Sequence, residues 1–98
     1  MEIRKVKGLE KYLGLMFRSE NTMPIEIVFD KEVQAPIHSW FVFFDFMAYW
    51  YDAKGELIQS RFIQPFESEI KCSKPFIRII EIPRKQWPKK NSVNTAKE

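Results

Sequence analysis

Residues 38–52 read HSWFVFFDFMAYWYD, and how this stretch is placed decides the fold. Trp40, Phe41, Phe43, Phe44, Phe46, Tyr49, Trp50 and Tyr51 put eight of the chain's fifteen aromatic residues here. Read as a strand, its even positions (Trp40, Val42, Phe44, Phe46, Ala48, Trp50) are all apolar. Its odd positions (Phe41, Phe43, Asp45, Met47, Tyr49, Tyr51) are apolar apart from Asp45. Such a strand must be covered on both faces, or must bend and change partners. Length favours the bend: fifteen extended residues span about 50 Å at roughly 3.3 Å each, against a radius of gyration of about 13 Å for a chain of this size. A kink is expected near Phe44–Asp45, where Asp45 is the poorest strand former. Full burial of an aromatic side chain contributes about 4–6 kcal/mol, so a domain this small is expected to hold most of these rings in its core. Tyr49, Trp50 and Tyr51 remain candidates for a pocket mouth or an interface, where Tyr and Trp are favoured.

Working outward, IEIVFD (25–30) alternates as a strand with one buried face. DAKG (52–55) carries Asp and Gly at the positions a tight turn requires, and ELIQSRFIQ (56–64) returns as the partner strand of a hairpin. Residues 65–75 lie between two prolines and read as a loop, and FIRIIEI (76–82) is a further strand. In 8–18, Leu9, Tyr12, Leu13 and Met16 recur at helical spacing, predicting one or two turns of helix weakened by Gly14. The pattern implies a small, mainly β domain over residues 1–83, a β-sandwich or open barrel-like fold with a short N-terminal helix. Residues 84–98 form a basic tail expected to be disordered.

Composition excludes several functions. The net charge is +3 over 98 residues, and the last fifteen contain five Lys or Arg (Arg84, Lys85, Lys89, Lys90, Lys97) against Glu98. Without that tail the body is nearly neutral, which argues against a nucleic-acid groove on the fold itself. Trp40 to Tyr51 contains no Lys or Arg to accompany stacked bases. The single cysteine, Cys72, rules out an internal disulfide and a cysteine-based zinc site. No signal peptide is read and no run reaches the roughly 20 apolar residues of a spanning helix, so a cytoplasmic protein without membrane contact is expected.

The candidate site residues are polar interruptions. His38, the only histidine, opens the aromatic stretch; it is either a functional group or a partly exposed side chain bonded to a loop. Arg18 offers a planar donor fork for an anion or carboxylate, or pairs with Glu10, Glu20 or Glu26. Asp45 is either buried with a raised pKa, or turned to solvent or paired with an arginine. Tyr49 and Tyr51 complete the candidate binding set. Cys72, between Lys71 and Lys74, is either a reactive thiol or an incidental one. No catalytic set, metal site or cofactor motif is present.

The pieces GLMFR (14–18), IVFDKEVQAPIHSWFVFF (27–44), YDAKGELI (51–58), IQPFES (63–68) and FIRIIEIP (76–83) resemble the short archaeal-type form of the family catalogued as domain of unknown function 192. The resemblance covers roughly residues 3–83 and implies a compact, mainly β, sandwich-like fold with no assigned activity. Members usually carry Pro, then Asp two residues later, within the aromatic strand; this chain has Asp45 and Met47 there, and its basic tail replaces the family's usual closing segment. Function therefore divides between a non-catalytic module binding a small ligand or a protein partner, a homodimer included, and a nucleic-acid-associated β protein using its tail.

Overall fold

The computed structural model describes residues 2–6 and 14–87. Five strands form one mixed sheet: β1 (Arg4–Val6), β2 (Ile25–Val33), β3 (Phe46–Tyr51), β4 (Leu57–Ile63) and β5 (Phe76–Pro83), in the order β1-β2-β5-β3-β4. β1 runs parallel to β2, and the other pairs are antiparallel. The mainly β expectation holds. The N-terminal helix is not seen: residues 14–17 form a turn, and 8–13 lie outside the described residues. Gly14 explains the turn, since it sits at φ +53°, where a helix cannot continue.

The aromatic stretch splits at the expected place. Strand begins only at Phe46, and residues 38–45 run as an irregular loop. Within β3 the alternation is strict. Phe46, Ala48 and Trp50 are buried, while Met47, Tyr49 and Tyr51 are half-buried on the opposite face. The loop half departs from the expectation that most of these rings are core. Phe44 and Val42 are buried, but Trp40, Phe41 and Phe43 are exposed, Phe43 to 64%. Burial still alternates over Phe41–Phe44 although no strand forms, so Phe41 and Phe43 point away from the core, and Trp40 falls outside that phase.

The hairpin forms as its sequence dictates. Asp52 accepts the Gly55 N–H on its carbonyl at 3.0 Å and the Lys54 and Glu56 N–H groups on Oδ1 at 2.9 Å, and Gly55 lies at φ +85°. β2 runs three residues further than its alternation predicts. A bulge between Val28 and Val33 lets Val33 pair with Phe76.

β5 is inserted between β2 and β3. Two long connections, 34–45 and 64–75, therefore cross the sheet, and their buried residues Val42, Phe44, Ile70 and Cys72 join the core on one face. The connections are tied together by an Ile37–Ile70 bridge, with N–H···O distances of 2.9 and 2.8 Å. Ser39 is a second tie: its buried Oγ donates to the Gln64 carbonyl and accepts the Glu67 N–H, both at 2.7 Å. Among the described residues, the opposite face is covered only in part. Arg84–Gln86, which composition assigns to the tail, form a 3₁₀ turn, and Trp87 packs on Phe62 and donates its Nε1–H to the Ile82 carbonyl at 2.9 Å. Residues 88–98 lie outside the described residues.

Candidate functional site: a buried carboxylate in an apolar cavity

Glu81 lies on the core face of β5, the central strand, in register with Ile25 of β2 and Ala48 of β3. Both neighbours are fully buried, and Glu81 itself is only 5% exposed. The strand period that sends Ile79 inward sends Glu81 inward too. Its side chain lines a cavity of about 240 Å³ whose other walls are Leu15, Ile27, Phe29, Val42 and Phe76, with Pro36, Ile37 and His38 toward the mouth. Phe29 and Phe76 meet edge to face there, with centroids 5.9 Å apart. For scale, an apolar cavity of about 150 Å³ accepts benzene.

Turn 14–17 closes over the carboxylate. A Cβ on Gly14 would lie 3.3 Å from Glu81 Oε1, so the missing side chain is what admits the carboxyl. The turn is held by Arg18, whose Nε–H donates to the Gly14 carbonyl at 2.9 Å, and by the Phe17 N–H, which donates to the Phe41 carbonyl at 3.0 Å. Burial pushes the Glu81 pKa up from 4.5 to about 7, with no described cation opposing the shift. A carboxyl in this setting is poised between its two protonation states near neutral pH.

The five residues expected at a site are dispersed. His38 reaches the cavity as an exposed residue at its rim; its Nδ1 accepts the Trp40 N–H at 3.2 Å, which leaves the proton of the neutral ring on Nε2. Arg18 does not line the cavity but shapes its roof through Gly14. Of the three glutamates expected as its partners, Glu26 pairs with Arg78 Nη1 at 3.2 Å, and Glu10 lies outside the described residues. Asp45 stands at the entry of β3, half-buried, with Oδ2 3.5 Å from Arg84 Nη1 and its carbonyl accepting the Arg84 N–H. Tyr49 and Tyr51 lie on the other face of the sheet, where Arg78 stacks 4.5 Å over the Tyr51 ring. Cys72 is buried in the core. Among the described residues no group of three or more His, Cys, Asp or Glu could hold a metal ion, and no helix is long and apolar enough to cross a membrane.

The sequence signal for Glu81 is its parity: it is the one charged residue in phase with Ile79 in a strand flanked by apolar neighbours. That signal means little until β5 is known to be central.

A second apolar feature borders the first. Phe17 stacks on Phe41 at 5.1 Å, and Trp40, Phe41 and Phe43 all set ring edges against Phe66 at 5.4–6.1 Å. All five rings are exposed. Phe17, Phe41 and Phe66 also hold φ of 60–61°, a region costing a bulky residue on the order of 1–3 kcal/mol.

No protein-family model, no curated protein and no solved structure matches this chain.

Proposed function

We propose that this chain is a non-catalytic binding module that takes one small, largely apolar ligand in the Glu81 cavity. The observation that carries the reading is a carboxyl buried in the central strand and aimed into an apolar recess of about 240 Å³. Ligand sites combine an apolar wall with a few placed polar groups, and a carboxyl buried in such a wall costs stability, a cost that a binding role would account for. Two of the described side chains that could serve as nucleophiles are otherwise engaged. Ser39 Oγ is committed to the loop junction, and Cys72 is packed in the core. In this reading the fold is a sandwich whose second layer is made of the two crossing loops. The family resemblance and a cytoplasmic setting belong to the same proposal, and neither adds an activity.

The nucleic-acid alternative gains little from the exposed rings. Phe66 sits between Pro65 and Glu67, residues 38–45 contain no Lys or Arg, and only Arg18 adjoins Phe17. Stacking platforms need flanking cations.

A screen of small apolar compounds by protein-observed NMR tests the reading. Binders should shift resonances of Leu15, Ile27, Phe29, Val42 and Phe76, and Ile27→Phe should abolish the shifts by filling the cavity. A screen in which no compound perturbs this group of residues would overturn it.

A further inference from the structure

We propose that the ligand of the Glu81 cavity is a small apolar amine, held with its ammonium against the Glu81 carboxylate and its hydrocarbon body against Leu15, Ile27, Phe29 and Phe76. This rests on the cavity being a ligand site.

Three observations select the amine over a neutral or anionic ligand. First, among the described residues no cation is paired with the carboxylate that faces the cavity. Arg18 is turned to the Gly14 carbonyl and Arg78 lies on the opposite face with Glu26 and Tyr51. An anion would bring a second negative charge into a recess whose described lining carries no lysine or arginine to balance it. Second, Glu81 is already only 5% exposed in the folded chain, so most of its desolvation is met on folding. Binding an ammonium therefore adds mainly the ligand's desolvation and gains a charge-assisted hydrogen bond in a low dielectric. Third, two aromatic residues, Phe29 and Phe76, line the recess, and aromatic rings attract a cation. The glycine at position 14 keeps the space above Oε1 free of a methyl group that would stand 3.3 Å away.

The groups around the carboxyl are few. β2 contributes Ile25 and Ile27, β3 contributes Ala48, and the roof contributes Gly14 and Leu15, none of them titratable. Among the described cavity residues, His38 at the rim is the other ionisable side chain.

Benzylamine and benzyl alcohol, equal in heavy-atom count, separate the two claims when titrated into the full chain by NMR. At pH 8 benzylamine should bind at least tenfold tighter than the alcohol. Lowering the pH to 5 protonates Glu81 while the amine stays cationic, and should weaken benzylamine at least tenfold with the alcohol unchanged within threefold. Glu81→Gln should erase the preference at pH 8, and His38→Gln should retain the pH dependence. An alcohol that binds as tightly as the amine, or a preference that survives Glu81→Gln, would overturn the amine and leave the cavity as a ligand site. Should neither probe bind up to its solubility limit, the proposed function falls with it. The wild-type pH comparison stands even if a variant does not fold.

Discussion

The loop 38–44 borders two apolar regions that differ in one respect. On its inner side, Val42 joins Leu15, Ile27 and Phe76 around a cavity with a single buried carboxyl. On its outer side, Trp40, Phe41 and Phe43 gather with Phe17 and Phe66 in an open cluster. Both are rich in aromatic and aliphatic carbon. Only the inner region combines enclosure with a polar group whose hydrogen-bonding capacity is held in reserve, and that combination gives a ligand both a place and an orientation. Exposed rings without such a group supply area alone, which is not affinity.

Substitution at Glu81 should have the largest effect, and its sign follows from linkage. Its folded pKa of about 7 lies above the 4.5 of the unfolded chain. The associated stability is fully present below pH 4.5 and is lost as the pH rises through 7, a change of roughly 3 kcal/mol at about 1.36 kcal/mol per pKa unit. In Glu81→Gln this component should vanish. Relative to wild type, the variant should gain about 3 kcal/mol between pH 4 and pH 8 in urea unfolding; parallel curves across that range would remove the buried acid from the picture.

Gly14→Ala comes next. Alanine at φ +53° costs about 1–2 kcal/mol, and its methyl group would stand 3.3 Å from Oε1. The loss should grow above pH 7, where the crowded carboxyl is charged. An equal loss at pH 5 and pH 8 would mean that the turn does not sense Glu81.

Phe43→Ser should do least. A side chain 64% exposed contributes within about 0.5 kcal/mol to stability, so the unfolding midpoint and benzylamine binding should stay put. A drop of more than about 1 kcal/mol would show that the cluster supports the cavity wall and is not independent of it.

The two carboxylates in apolar surroundings show how far the sequence could be read. Asp45 interrupts eight aromatic residues and is conspicuous in the sequence, yet it ends half-buried at the entry of β3 beside Arg84. Glu81 is inconspicuous within FIRIIEIP and ends in the middle of the sheet. Local pattern supplied β2, the 52–55 turn, the β3–β4 hairpin and β5, because each depends on alternation or on turn chemistry within a few residues. It also located the break at Asp45. It could not supply strand order, and strand order is what buries Glu81: β5 becomes central only because 64–75 carries the chain back between β2 and β3. The parallel pairing of β1 was hidden for the same reason, since three residues carry almost no periodicity of their own. His38, singled out for being unique, lies at the cavity rim, whereas Tyr49 and Tyr51 lie on the other face of the sheet, because facing is set by the partner strands.

The most direct measurement is an NMR titration of the Glu81 carboxyl carbon in the full chain, with and without saturating benzylamine. A buried, amine-binding carboxylate should titrate near pH 7 alone and at least one unit lower with the amine bound. A midpoint near 4.5 in both samples, or one near 7 that the amine leaves in place, would contradict it.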